Sequence, residues 1–248
     1  SNGNFDPTVA GVGTSTIFYS ITDNSGCSNI DSSTITVNPQ PTISISSDTA
    51  ICFGESVTLS ANGGINYAWS NGSITASISV TPTADSTFAV TVSNSNSCSS
   101  VDSVRVTVNA LPTASISGNT TICQGESTAL IANGGVGYSW SNGQFNDTIQ
   151  VSPTIDSTFT VTVSNTSGCI DTQSQLITVN PLPTVSLASF IDVCENSAAI
   201  SLSGGTPAGG TYSGIGVSNG NFDPTVAGVG TSTIFYSITN NSGCSNID

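Results

Sequence analysis

Histidine and methionine are absent from this chain of 248 residues, and lysine and arginine together contribute one residue, Arg105. Without imidazole, a zinc site loses one of its usual ligands and nucleophilic catalysis loses its usual general base. No CxxC pair occurs, which removes thioredoxin-type chemistry as well. One cation against 15 acidic residues gives a formal net charge of −14. Such a surface has nothing with which to neutralise phosphates, so no nucleic acid is expected as a partner, and an anionic membrane is an equally poor one. No apolar run approaches the roughly 18 residues that span a bilayer, so no membrane insertion is expected either, and the first residues do not have the form of a signal peptide. Charged residues make up only 6% of the chain, against roughly a quarter in an ordinary soluble domain. These gaps point away from an enzyme.

What is present is β-forming. Hydrophobic residues make up 36% of the chain, Val and Ile recur in alternating patterns, and no stretch sustains a 3.6-residue period. The same words also return. Residues 1–31 and 218–248 are identical at 30 of 31 positions, the one change being Asp23 against Asn240. PTISISSDTAICFGES begins at Pro41, PTASISGNTTICQGES at Pro112 and the more divergent PTVSLASFIDVCENS at Pro183, at two equal intervals of 71 residues. Units 41–111 and 112–182 match at 40 of 71 positions. Residues 32–40 follow the first occurrence of the duplicated stretch, and joining them to 183–248 closes a larger period of 217 residues, the spacing from Ser1 to Ser218. The sequence therefore divides into 1–40, the C-terminal part of a third-type unit; 41–111 and 112–182, two full units; and 183–248, a third-type unit lacking its end. The chain is expected to be an excerpt of a longer array.

Within 41–111, strands are expected at TISIS (42–46), SVTLSA (56–61), INYAWS (65–70), SISVT (77–81), STFAVTVS (86–93) and SVRVTVN (103–109), with turns at Asn62-Gly63-Gly64 and Asn71-Gly72. Short strands with turn signals at this spacing predict an all-β chain, a tandem array of small immunoglobulin-like β-sandwiches. Trp69 and Trp140 occupy the central-strand position and are expected in the core, with Phe88 and Phe159 opposite them.

Seven cysteines alternate between two contexts. Cys52, Cys123 and Cys194 sit in the turn before the second strand, and Cys27, Cys98, Cys169 and Cys244 follow the last hairpin tip. Two per unit in an acidic chain point to disulfides in an oxidising compartment. Pairing within domains would join Cys52–Cys98, Cys123–Cys169 and Cys194–Cys244. In an immunoglobulin topology, however, the turn lies at the bottom of the sandwich and the tip at the top, roughly 20 Å apart or more, whereas a disulfide needs Cα atoms within about 7 Å. The bottom of one domain meets the top of the next. Cys52–Cys169 and Cys123–Cys244, staples across the junctions, are therefore favoured, the intradomain scheme stays open, and the partner of Cys27 lies outside the chain.

The motifs ICxGES, NGGxxYxWSNG, PTxDSTFxVTVSN and TVNPLPT, in this order over essentially the whole chain, resemble the immunoglobulin-like or PKD-like tandem repeats of giant Bacteroidota surface proteins. The resemblance implies export by type IX secretion and display outside the outer membrane, among gliding-type adhesins and predatory grappling filaments. The third unit departs from the pattern, with TYSGIG (211–216) in place of YxW and Phe in place of the Tyr common before the last hairpin.

Glu55, Glu126, Asp85 and Asp156 recur at equivalent positions and are weak candidates for Ca²⁺, a hard cation that takes carboxylates. They lack the DxDxDG spacing, and turn capping is the simpler role for them. No other cofactor is indicated. Asp48, Asp85, Asp102, Asp147 and Asp156 each open a triplet of the short O-glycosylation type. The expected function is a structural segment of a long extracellular filament or adhesin stalk, attached at the cell surface, self-associating into a multi-chain filament and bearing tension. The alternative is a module that binds glycans or cell surfaces, displayed on such an array.

Overall fold

The structure is a computed structural model that describes residues 3–248. It falls into two compact units, Ser1–Leu111 and Pro112–Asp248. The chain is all-β, with two four-residue helical turns, Pro7–Ala10 and Pro224–Ala227, among the described residues.

The first unit opens with a hairpin of β1 (Gly13–Thr22) and β2 (Ser28–Val37), paired over ten rungs. Seven strands follow: β3 (Ser44–Ile45), β4 (Thr49–Cys52), β5 (Val57–Asn62), β6 (Asn66–Trp69), β7 (Ser77–Val80), β8 (Ser86–Ser93) and β9 (Ser99–Asn109). They form two facing sheets, β3-β5-β7 and β4-β9-β8-β6. Every neighbouring pair is antiparallel except β4 with β9, which is parallel. That three-plus-four arrangement is an immunoglobulin-like sandwich.

Alternation explains the core. In VTLSAN, Leu59 and Ala61 are buried while Thr58 and Asn62 are exposed, because successive side chains of a strand point to opposite faces. Leu59, Val90, Val92, Val104 and Val106 are fully enclosed around Trp69, whose indole N–H donates to the Thr75 carbonyl at 2.9 Å. Phe88 is half-buried against the same cluster. The NGG turn has a steric origin. Gly63 has φ +112°, and a Cβ there would sit 2.0 Å from the Thr42 carbonyl oxygen. Glycine is required at that contact.

The second unit repeats the sandwich with β10 (Ser115–Gly118), β11 (Thr121–Cys123), β12 (Thr128–Asn133), β13 (Gly137–Trp140), β14 (Thr148–Val151), β15 (Ser157–Ser164) and β16 (Ile170–Asn180). The sheets are β10-β12-β14 and β11-β16-β15-β13, with Trp140 in the core. Strands β4 and β11 are additions to the sequence reading, which placed only a turn there. Each is short and bonds to a strand more than 50 residues away, so local pattern carries little sign of it.

The third-type domain is built from shorter pieces: β17 (Ser186–Leu187), β18 (Ile200–Ser201), β19 (Gly205–Thr206), β20 (Thr211–Gly214), β21 (Val217–Ser218), β22 (Asn221–Phe222), β23 (Ile234–Thr239) and β24 (Ser245–Ile247). Tyrosine replaces tryptophan at its centre. Tyr236 is 1% exposed and stacks at a tilt on Tyr212, ring centroids 4.8 Å apart. Its hydroxyl donates to the Pro207 carbonyl and accepts from the Gly210 N–H at 2.6 Å. Gly205 makes room for the ring, since a Cβ there would lie 2.5 Å from it.

Tyr236→Phe removes both bonds, the Pro207 carbonyl's donor and the Gly210 N–H's acceptor, a loss of about 0.5–1.5 kcal/mol for each. Hydrogen exchange on the whole chain should show faster exchange at Gly210 and along β20 and β23, with the two upstream sandwiches unchanged. Unaltered protection at Gly210 would refute the assignment.

Candidate functional site at the domain joint

Of the residues that the sequence reading singled out, Cys123 and Cys244 meet where the sandwich 112–182 passes into the strands that follow it. In β11, the parallel register sets Thr121 opposite Thr178 and Cys123 opposite Asn180. The Gln124 N–H then closes on the Asn180 carbonyl at 2.9 Å. Cys123 is thereby held where the chain leaves its sandwich. From the other side comes the β23–β24 tip, carrying Cys244. The two cysteines form a disulfide with Cα atoms 5.6 Å apart, closing a sequence separation of 121 residues. Cys52 and Cys169 are each in a disulfide as well. Cys27, Cys98 and Cys194 are free thiols. The intradomain pairs Cys123–Cys169, Cys194–Cys244 and Cys52–Cys98 are therefore not the arrangement of this structure. The reason is the strand geometry above: turn and tip lie at opposite ends of one sandwich.

The joint is polar around the disulfide. Asn240 begins the tip and works in both directions. Its Oδ1 accepts from the Ser242 and Cys244 N–H groups, each at 3.0 Å, while its Nδ2 donates to the Pro181 carbonyl at 2.9 Å. Asn246 Nδ2 donates to the Pro183 carbonyl at 3.0 Å. The proline-rich segment 180–184 is gripped at two carbonyls that proline's missing N–H leaves as its main polar groups. The first unit repeats the device: Asn94 Nδ2 donates to the Pro39 carbonyl at 2.9 Å, and the Ser100 hydroxyl to the Pro41 carbonyl at 2.8 Å. Asn94 and Asn240 were missed in the sequence reading, although their place four residues before each tip cysteine marks them. The single difference between the duplicated ends falls on this position. Asp23 accepts from Ser25 and Cys27 as Asn240 accepts in its own tip, but a carboxylate has no N–H to offer a neighbouring carbonyl.

The four calcium candidates are spread through the sandwiches and engage backbone. Glu55 accepts from the Cys52 N–H and Glu126 from the Cys123 N–H, both at 2.9 Å. Asp156 accepts from Val179 at 2.7 Å, and Asp85 accepts from Val108 at 2.9 Å and from the Arg105 guanidinium at 2.8 Å. Among the described residues, no three metal-ligating side chains of Asp, Glu, Cys or His form a group that could hold an ion. Trp69 and Trp140 are enclosed in their cores. Among the described residues, no helix is long and apolar enough to cross a membrane.

No family model matches the chain, and no curated protein does. Among solved structures it is similar to a Ca²⁺-stabilised adhesin that helps an Antarctic bacterium reach out and bind ice, at 14% identity over 95% of this chain and 80% of that one, with a TM-score of 0.40. A 1.5-MDa bacterial ice-binding adhesin matches at 15% identity over 84% of this chain and 96% of the other, TM-score 0.34. Murine CEACAM1b matches at 13% identity over 56% and 100%, TM-score 0.30. At that distance the likenesses say nothing of what this chain binds.

Asn240→Asp should loosen the joint by turning a donor into a carboxylate against the Pro181 carbonyl, at a cost of about 1 kcal/mol or more. The readout is the rate at which dithiothreitol reduces Cys123–Cys244, expected to rise several-fold; an unchanged rate would remove Asn240 from the joint. A second expectation concerns acid. The Val108 N–H, and after it the Arg105 guanidinium, holds the Asp85 carboxyl below its ordinary value. A depressed carboxylate favours folding above the usual range near pH 4 and loses that contribution as pH falls through its folded value. Asp85→Asn should flatten this part of the acid-unfolding curve below about pH 4, and an unchanged curve would contradict the assignment.

Proposed function

We propose that the chain is a structural segment of a long extracellular filament or adhesin stalk that attaches a cell to a surface or to prey and carries tension along its length. The observation that supports this most is the covalent joint: Cys123 of the sandwich 112–182 bonded to Cys244 of the domain 183–248. A staple at a junction resists bending between domains, which a stalk needs and an isolated binding module does not. Disulfides persist in oxidising compartments, which supports an extracellular location, and the repeat motifs support a Bacteroidota surface protein exported by type IX secretion.

Lateral assembly belongs to the same reading. A surface with few charges and many Ser, Thr and Asn residues gives little long-range repulsion, and salt screens its net charge within about 10 Å or less. Several chains pack side by side into a filament through polar side chains and strand edges.

The test is single-molecule stretching of four tandem copies of the 217-residue period, with and without reductant. The expected result is a stiff tether at low force that becomes markedly more flexible once the disulfides are reduced. Equal stiffness in both conditions would overturn the stalk reading.

A further inference from the structure

The disulfide between Cys123 and Cys244 offers its two sulfurs unequally. Cys244 is 0% exposed, whereas Cys123, at the end of β11, is half-buried. A thiolate that opens the bond reaches it at Cys123. The approach to that sulfur is lined by negative groups. Glu126 brackets the cysteine, its Oε2 accepting from the Cys123 N–H at 2.9 Å and its own N–H donating to the Cys123 carbonyl at 3.0 Å. On the neighbouring strand, Val179 stands opposite Ile122 and Asn180 opposite Cys123. Asp156 accepts from the Val179 N–H at 2.7 Å, and the Asn180 carbonyl oxygen lies 3.9 Å from Cys244 Sγ. Nothing in this part of the chain offsets them, since residues 112–248 contain Asp and Glu but no Lys, Arg or His.

We propose that the joint disulfide discriminates among thiols by charge: Glu126, with Asp156 beside it, repels anionic thiols, so that the bond exchanges preferentially with cationic aminothiols. The thiolate is the attacking species in such an exchange. Its sulfur must reach bonding distance of Cys123 Sγ, so a carboxylate near that sulfur raises the barrier and an ammonium on the incoming molecule lowers it. The exchange has two steps. An aminothiol thiolate attacks Cys123 Sγ, a new S–S bond forms, and Cys244 leaves as a thiolate with the electron pair of the old bond. A second aminothiol attacks the sulfur of the first, which releases Cys123 as a thiolate and the aminothiol as its disulfide. The two protons of the aminothiols end on the two cysteines. Two thiols are oxidised and one disulfide is reduced. Glu126 makes and breaks no bond; it holds the turn and sets the field.

Glu126 is exposed, so water weakens its field. Unit charges about 6–7 Å apart in a watery surrounding still interact strongly enough to change a rate about threefold. Charge and hydrogen bond can be separated. Gln at position 126 still accepts from the Cys123 N–H through its amide oxygen, and Asn at position 156 does the same for Val179. Asn240→Asp is not a clean probe of charge, because it also removes the donor to the Pro181 carbonyl. The selectivity goes beyond the stalk reading, since it concerns the chemistry of the bond and holds whether or not the chain bears load.

The test is reduction of Cys123–Cys244 in the whole chain by three thiols: anionic 2-mercaptoethanesulfonate, neutral 2-mercaptoethanol and cationic cysteamine. Alkylation and peptide mass spectrometry follow this bond alone, and each rate is taken per thiolate and relative to that thiol's rate with a small neutral disulfide. Cysteamine should be fastest and the sulfonate slowest, over a spread of about tenfold. Glu126→Gln should speed the sulfonate about threefold and cysteamine much less, and Asp156→Asn should act in the same direction by a smaller factor. Salt at about 1 M, where the screening length falls to roughly 3 Å, should compress the spread. Quenching early in the reaction should find the mixed disulfide on Cys123. Equal relative rates for the three thiols, a spread that Glu126→Gln leaves unchanged, an equal acceleration of all three by Glu126→Gln (the mark of a loosened turn), or a mixed disulfide on Cys244 would each overturn the proposal.

Discussion

Three parallel rungs between β11 and β16 decide where the covalent joint forms. Thr121, Ile122 and Cys123 run alongside Thr178, Val179 and Asn180, so the cysteine that follows the first strand is carried to the end of the sandwich from which the chain departs. An antiparallel edge would have brought it to the other end, beside its own domain's hairpin tip. Ile122 anchors the edge in the core, and Glu126 fixes the turn beyond it by accepting from the Cys123 N–H. The joint's asparagine grip and its disulfide both depend on this short edge being present and parallel.

The chain's scarcity of charge follows a related logic. Its carboxylates are spent largely on backbone N–H groups: Glu55 and Glu126 at the turn cysteines, Asp85 and Asp156 at the start of β8 and β15, and Asp6 and Asp223 at the two helical turns. Side chains used in this way are equivalent from one unit to the next, which is why they recur in the sequence. Recurrence alone does not separate a capping group from a ligand. In this structure Glu55 and Glu126 each accept within their own turn, whereas Asp85 and Asp156 each accept from a strand 23 residues further on.

Much of the fold is legible in the residues. The alternation of Val57, Leu59 and Ala61, the NGG turn with its glycine against Thr42, and the two tryptophans all report local constraints that act within a few residues. What escaped was non-local. Strands β4 and β11 exist because of pairing with β9 and β16, and nothing in TAIC or TIC alone asks for a parallel partner. The role of Asn94 and Asn240 is equally hidden, since an Asn opening a tight tip is already explained by its Oδ1, and only the three-dimensional joint gives its Nδ2 a carbonyl to meet. In the third domain, tyrosine takes over a central place that tryptophan holds elsewhere. Its partner glycines, Gly205 and Gly210, make sense only once the ring is seen to lie on them.

The disulfide between Cys123 and Cys244 has a topological side. It encloses a loop of 121 residues, and extended chain reaches at most about 3.3–3.6 Å per residue. Roughly 400 Å of contour is thus tied off behind one S–S bond. Thermal or mechanical loss of the sandwich core inside the loop would slacken the domain without lengthening the molecule there, and the same ends would remain in place for the core to re-form. The bond acts as a length register: the spacing from one domain to the next is stored in a covalent link, whatever the momentary state of the fold that it encloses.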